Sequence, residues 1–419
     1  MTGPSTPVLL HNGLLIDGTG GEPVADGAVL IEDGLIRWAG PSGGLRLPAL
    51  PAPARRIDVQ GNAILPGFID CHVHMAAPGG ALTHAEVAAM PVSLRTFLAA
   101  PRMKLTLDAG VTTARDLGGA DAGHREAVES GLLAGPRLLV AIAMLTPTGG
   151  HGDFRAATDN GENDPVMGRL ADGPTECRRA VREVLRKGAD CVKVAATGGV
   201  WSPTDHPDDD GFLEDEIRTI TEVAAGHRGT KVAAHAQGRG GILNAVRAGV
   251  ASVEHGYAID DEAIDLMLER GTFLVPTLTT VNTDPDPQKV AAWAYEKKKH
   301  WQAVARRHIP HAVARGVRVA MGTDCGIAEH GTNLRELEYL VDCGMTPMGA
   351  IRAGTSEAAE LLGLAHEIGT LEAGKRADVV VARGNPLTDI AALTAPANIL
   401  LVMKDGVMCK DLGKLGNLD

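Results

Sequence analysis

The sequence predicts an α/β protein: a (β/α)8 TIM barrel with a small β-sandwich domain formed by both chain ends. Three observations carry this expectation. Short apolar runs alternate with longer helix-like stretches through the middle of the chain. Both termini instead hold short strands punctuated by Asp-Gly turn signals. His, Lys and Asp recur where the central apolar runs end. Alternating strands and helices are the signature of parallel βαβ units.

At the N-terminus, Val8–Ile16 runs into Asp17-Gly18, Gly27–Glu32 into Asp33-Gly34, and Leu35–Ala39 follows. Asp-Gly favours the positive φ angles of tight hairpins, so these runs read as paired strands. Residues 40–56, rich in Pro, Gly and Ala, read as a loop. The C-terminus repeats the style in Ala377–Ala382, Ile399–Lys404 and Val407–Cys409, with Asp405-Gly406 between the last two. Pooling both sets buries their apolar faces, and chain termini that meet in one domain are common. The expected division is 1–62 with 366–419 as the sandwich, and 63–365 as the barrel.

Eight strand candidates lie between: Ala63–Ile69, Val111–Arg115, Arg137–Met144, Cys191–Ala195, Lys231–Ala234, Ser252–Glu254, Thr272–Pro276 and Arg318–Met321. Helical stretches separate them, among them Ala85–Ala99 with a kink at Pro91, Glu176–Lys187, Glu214–His227, Gly240–Ala248, Asp260–Glu269, Val290–Ala314 and Asn333–Cys343. Glycines at or near several helix ends suit left-handed caps. Eight βα units in about 300 residues point to a barrel. The alternative, an open doubly wound sheet, lacks a G-x-G-x-x-G at its first helix and so lacks a dinucleotide site. Residues 278–291 show no period, and the TDPDP segment reads as turns.

Composition narrows the function. The 419 residues are 44% hydrophobic and 22% charged, the profile of a soluble globular enzyme. Aromatics are only 3%, so the core rests on Leu, Val, Ile and Ala, and base-stacking platforms have few candidates. A net charge of -12 argues against nucleic acid and anionic membrane as partners. No apolar run is long enough to span a bilayer, and no secretory leader pattern opens the chain. The six cysteines show no C-x-x-C spacing. The expectation is a cytoplasmic protein with reduced thiols that acts on a small molecule. The run Lys297-Lys298-Lys299-His300 reads as the wet face of a helix.

The chemistry sits at the strand ends. His72 and His74 follow the first central strand, Lys193 lies inside the fourth, His235 and His255 end the fifth and sixth, and Asp324 follows the eighth. In a barrel, such ends converge on one mouth. The His72-x-His74 spacing puts both imidazoles on one side of a strand, able to share a metal. An isolated H-x-H is weak; the full set is not easily a coincidence. Lys193 lies in Cys191-Val-Lys-Val-Ala195, where a buried ammonium costs several kcal/mol unless paired. It reads as a salt-bridged lysine, a Schiff-base lysine, or a neutral amine carboxylated by carbon dioxide and able to bridge two metals. The neighbouring histidines favour the last. Asp324, in Gly322-Thr-Asp324, reads as a turn cap or as a ligand and general base.

These pieces resemble the amidohydrolase superfamily over nearly the whole chain. The matching segments are Leu65-Pro-Gly-Phe-Ile-Asp-Cys-His-Val-His74, the strand carrying Lys193, His235, Glu254-His-Gly256, Gly322-Thr-Asp324 and Gly369-Thr-Leu-Glu-Ala-Gly-Lys-Arg-Ala-Asp378. Thr148-Gly-Gly-His-Gly152, Thr197-Gly-Gly199, Ser202-Pro-Thr-Asp205 and His330-Gly331 are most similar to its prolidase-like branch of Xaa-Pro dipeptidases and imidazolonepropionase-like enzymes. That branch also resembles enzymes acting on N-acyl amino acids, ochratoxin and carbamates. The resemblance implies two zinc ions bridged by carboxylated Lys193. His72 and His74 would hold the more buried ion, completed by Asp324, and His235 and His255 the other. One departure stands out: Gln237 occupies the place where those dipeptidases usually carry Tyr.

The expected reaction is cleavage of an amide bond of a dipeptide or N-acyl amino acid, with carbamates, lactones and ochratoxin-like amides as alternatives. The metals would lower the pKa of a water, His151 or Gln237 would polarise the carbonyl, and Asp324 would move the proton. His330, Arg155 and Arg335 are candidates for holding a substrate carboxylate, although Arg335 better suits a helix-surface ion pair with Glu336 or Glu338. The resemblance also implies a homo-oligomer.

Overall fold

The computed structural model describes residues 6–44, 54–77, 89–155, 167–412 and 415. Its strands form one mostly antiparallel sheet and two parallel ones. From the N-terminus come β1 (Val8–Leu15), β2 (Val24–Glu32), β3 (Leu35–Pro41), β4 (Arg55–Asp58) and β5 (Ala63–Pro66). The parallel strands are β6 (Phe68–Val73), β7 (Val111–Asp116), β8 (Arg137–Val140), β9 (Met144–Thr146), β10 (Gly168–Leu170), β11 (Val192–Ala195), β12 (Val232–Ala236), β13 (Ser252–His255) and β14 (Phe273–Val275). The C-terminus adds β15 (Val379–Ala382), β16 (Ile399–Lys404) and β17 (Val407–Asp411).

Strands from the two chain ends share one eight-stranded sheet, in the order β17-β16-β15-β5-β1-β2-β3, with β4 beside β1. Period-two burial drives this pairing: Leu10, Val29, Ile31, Ile36, Ile57, Val379 and Leu401 meet in one apolar cluster. The run Ala63–Ile69, read as a single central strand, divides at Gly67. Ala63–Pro66 pairs with β1 and β15, while Phe68–Val73 pairs with β7. The change of sheet therefore comes at Gly67, a few residues after the expected boundary. A Cβ at Gly67 would meet Thr112 Oγ1 at 2.1 Å, so only glycine lets the chain pass there.

The parallel strands form a three-stranded sheet, β6-β7-β8, and a six-stranded one, β10-β9-β11-β12-β13-β14. Strands β11, β12 and β13 are buried throughout, as strands covered on both faces must be. Two sets of backbone bonds join these sheets. Asp190 N–H donates to Val140 O across 2.8 Å. Residues 318–325 bond Leu274 on one side and Cys71 on the other, through Leu274 N–H to Arg318 O and Cys71 N–H to Met321 O, each 2.8 Å. The eighth strand candidate, Arg318–Met321, thus holds one isolated bridge, at Val319, rather than a regular strand. Arg137–Met144 breaks into β8 and β9 around Ile142, whose φ is 70°.

Helices cover the parallel sheets with single apolar stripes. Gly173–Arg186 buries Cys177, Ala180, Val181 and Val184, at the 3–4 spacing of one helical face. Asp260 caps Asp261–Arg270 by accepting from Ala263 N–H, and Gly271 closes it at φ 67°. A helix spans Val92–Asp108, starting just after Pro91; the expected portion over 85–88 lies outside the described residues. The stretch 278–291, which shows no period, opens with a short helix, Leu278–Asn282.

Arg137 couples the two architectures. Its guanidinium reaches Asp378 Oδ2 at 2.7 Å, Asp405 Oδ1 at 2.6 Å and Thr113 Oγ1 at 2.8 Å. Asp378 is buried and its carbonyl also accepts from Gly67 N–H. Removing one partner strands the other charge, so Arg137→Met should cost about 3 kcal/mol. Chemical denaturation checks this, and an unchanged midpoint would show that the pair does not couple the sheets.

Candidate metal centre

The site is built on the carboxyl ends of the parallel strands. His72 is in β6 and His74 just follows it; Lys193 is in β11, His235 in β12 and His255 ends β13. Asp324 follows the bonded segment after β14, with its own N–H donating to His72 O across 2.8 Å. Five of the six sequence-predicted donors, His72, His74, His235, His255 and Asp324, come together, and the charge of Lys193 acts on all five. His72 and His74 Nε2 lie 3.6 and 3.4 Å from Asp324 Oδ1. The His72 and His255 ring centroids are 5.1 Å apart, and those of His235 and His255 4.6 Å. Donor atoms of His72, His255 and Asp324 all fall within 4.8 Å of one another.

Each imidazole has one nitrogen engaged by the protein, and where the partner is a carboxylate or a carbonyl, as for His72, His74 and His235, this fixes the tautomer and presents the other nitrogen. His72 Nδ1–H donates to Glu254 Oε2 at 2.8 Å, and His74 Nδ1–H to Gly118 O at 2.8 Å. His255 Nδ1 meets Thr277 Oγ1 at 2.8 Å. His235 differs, since its Nε2–H donates to Gly198 O at 3.1 Å and its Nδ1 is left for a ligand. This outer anchoring is what metal-binding histidines require. Burial, with Lys193 adding to it, pulls all four below the ordinary histidine value, His74 to about 4. They are therefore neutral and able to donate a lone pair at neutral pH.

Lys193 is 2% exposed, and its Nζ has no hydrogen-bond partner among the described residues. Burial pulls its pKa down and pushes that of Asp324 up. Two of the donors hold left-handed backbone angles, His255 at φ 72° and Asp324 at φ 58°, a region that costs a non-glycine residue some strain. Gly322 permits the close approach, since a Cβ there would lie 2.3 Å from Val275 Cγ1 and 3.0 Å from His72 Cβ.

The second layer was not read from the sequence. Glu254, fully buried, receives His72 on one oxygen and Arg115 Nη2 at 2.9 Å and Ser252 on the other. Arg115 Nε–H also donates to Cys71 O at 2.6 Å. Asp70 receives Thr323 N–H and Oγ1–H and Asn333 Nδ2–H, holding the turn that carries Asp324. A charged residue inside a buried strand was the available signal for both Glu254 and Arg115.

Around the donors, His151 stacks on His235 with centroids 4.2 Å apart, and its Nδ1 faces Asp205 Oδ2 at 3.6 Å. Gln237 is 5% exposed, and its Oε1 has no partner among the described residues. His330 meets Thr106 Oγ1 at 3.1 Å, and burial lowers it to about 4, so it is neutral. Arg155 is held in a bidentate pair with Asp153, at 2.7 and 2.8 Å. Arg335 lies over Tyr339, while the carboxylate of Glu336 receives Leu278 and Thr279 N–H. The expected ion pair of Arg335, with Glu336 or Glu338, is absent among the described residues.

The amidohydrolase family model matches residues 63–409. The chain belongs to the amidohydrolase family. Similar to it is ochratoxinase of Aspergillus niger, 33% identical over 97% of this chain and 87% of that one. A solved Xaa-Pro dipeptidase with methionine bound in its active site is 32% identical over 96% and 99% of the two chains, with a TM-score of 0.87. A solved prolidase in complex with N-methylphosphonate-L-proline is 33% identical over 97% and 100%, with a TM-score of 0.89. These relatives place the amidohydrolase in the prolidase-like branch, and it is a hydrolase of carbon–nitrogen bonds. No helix among the described residues is long and apolar enough to cross a membrane.

Glu254→Gln keeps the shape of the second layer but removes the charge that orients His72. Bound metal should then dissociate 10- to 100-fold more readily. Metal analysis after graded chelator dialysis checks this; retention equal to the parent protein would remove Glu254 from the centre.

Proposed function

We propose that this amidohydrolase hydrolyses the amide bond of a dipeptide or an N-acyl amino acid at a binuclear divalent metal centre, with Zn2+ as the expected ion. The parallel sheets then act as one closed (β/α)8 barrel, with the sheet from both chain ends as its accessory domain. One observation carries the reading: histidines from three strand ends meet beside Asp324, each anchored on one nitrogen, while buried Lys193 Nζ is left without a partner among the described residues.

That donor set fits two ions. His72, His74 and Asp324 would hold the more buried one, His235 and His255 the other, and Lys193 both. Burial lowers the pKa of Lys193 to about 8, which raises the fraction present as neutral amine above that of an ordinary lysine; it is this neutral fraction that would add carbon dioxide, form a carbamate and release a proton. The carbamate supplies the two oxygens needed to bridge. When bound, the ions supply Lewis acidity that lowers the pKa of a water and polarises the scissile carbonyl.

The chain's own residues do the rest. Asp324, beside the His72 and His74 nitrogens, takes the water's proton and returns it to the leaving nitrogen. His151 is placed by stacking on His235 to hydrogen-bond the carbonyl oxygen as charge develops. Gln237 adds a side-chain amide to the pocket's polar lining. The similarity to ochratoxinase and to the Xaa-Pro dipeptidase supports amides with a carboxylate-bearing leaving group.

Purified protein should contain two metal equivalents and lose turnover on chelation, regaining it with added metal. Turnover should be read on Xaa-Pro dipeptides, N-acyl amino acids, carbamates and lactones. Full activity in exhaustively chelated, metal-free protein would sink the proposal. Lys193→Met should leave less than two equivalents bound. His151→Ala should lower kcat about 100- to 1000-fold, the cost of losing one oxyanion donor. If KM alone rose, His151 would be a binding residue instead.

A further inference from the structure

A substrate with a free carboxylate needs a cation near the donors, and the residues expected to supply one do not stand ready. Arg155 is paired with Asp153, Arg335 lies over Tyr339, and His330 is neutral. The structure offers another cation. The helix Ala292–Ala314 turns a stripe of Ala294, Lys298, Trp301 and Ala305 inward, so Lys298 is 3% exposed rather than on the wet face. Its neighbour Lys297 is also engaged, donating to Ser202 O at 2.8 Å and Asp205 O at 2.7 Å.

Lys298 Nζ donates to Thr280 O at 2.6 Å and lies 5.8 Å from the centroid of the Trp201 ring. Among the described residues it forms no ion pair. An ammonium has three donors, and burying one without an anionic partner is costly unless function retains it. The position ties it to the metal-binding residues. Thr280 Oγ1 meets Tyr257 Oη at 3.2 Å, and the Tyr257 ring packs 5.5 Å from that of His255. Of the charges that act on Lys298, Asp324 does most to hold it protonated. Burial lowers its pKa to about 8, which leaves it cationic at neutral pH.

Resting on the amide-hydrolase reading above, we propose that Lys298 receives the substrate's carboxylate and selects acidic substrates. The incoming anion supplies the partner that the fold withholds. A carboxylate on the leaving amino acid, close to the scissile bond, then bridges the distance between the metal-binding residues and the 292–314 helix. The reading also gives Lys297 a supporting part: it pins the 202–205 loop, whose Asp205 faces His151, beside the same helix.

The test uses the metal-loaded enzyme, its Lys298→Met and Lys298→Arg variants, and carboxylate substrates matched with their carboxamides. Methionine fills the same stem volume, so folding should persist, and a thermal melt verifies it. Lys298→Met should raise KM for the carboxylate roughly 10- to 100-fold, the range of a charged hydrogen bond, with little change in kcat. The carboxamide should be unaffected, and Lys298→Arg should recover part of the loss. Calorimetric binding of N-methylphosphonate-L-proline and its carboxamide gives a readout without turnover. If no amide is cleaved, yet the parent binds the carboxylate at least about tenfold better than the carboxamide and Lys298→Met does not, the Lys298 assignment stands and the amide reading falls. Equal losses for carboxylate and carboxamide, or a parent enzyme that does not distinguish them in either assay, would overturn the assignment.

Discussion

The carboxylate of Glu254 is wholly buried between the Arg115 guanidinium, the Ser252 hydroxyl and the Nδ1–H of His72. Each contact depends on the others. Arg115 alone would be a stranded cation, Glu254 alone a stranded anion, and His72 without Glu254 would lose its fixed tautomer. Such a web holds only if every member is satisfied. Because its members come from β6, β7 and β13, it also fixes the relative position of strands from both parallel sheets. Asp70, which ties β6 to the Thr323 turn and to Asn333, does the same for Asp324.

Above that layer the donors are assembled at a cost. Four neutral histidines, a buried lysine without a partner and an aspartate crowd one rim, and two of the ligand-type residues carry left-handed backbone angles. In isolation this arrangement is destabilising, and the apolar cluster running beneath it offsets the strain. A ligand that binds only the folded state repays part of that cost by mass action. The geometry is therefore the kind expected of a centre shaped by what it binds.

The terminal sheet contributes through attachment rather than chemistry. Gly67 passes the chain from that sheet into β6 only two residues before Ile69 and five before His72. Arg137 closes the same junction from the opposite side through Asp378 and Asp405. Any shift between the sheets would be felt at the first two histidines, which gives the accessory strands a mechanical role in the site.

What the sequence determined by itself was local in origin. Period-two and helical burial patterns disclosed the βα alternation, and Asp33-Gly34 and Asp405-Gly406 disclosed two tight hairpins, whereas Asp17-Gly18 lies in the longer connection between β1 and β2. The donors at successive strand ends were legible because the convergence of such ends follows from the fold class alone. Only the tertiary structure decided the rest. It split 63–69 at Gly67, because that choice depends on which strands are waiting to pair and on Thr112 crowding the turn. It placed Lys298 inward although its run looked solvated, because a single helical residue's direction is set by what the helix packs against. It assigned Arg155 to Asp153 and Glu336 to the 278–279 backbone, since partners of long polar side chains are chosen by three-dimensional proximity. Contacts such as Arg115 with Glu254, 139 positions apart, leave no periodic trace in a linear chain.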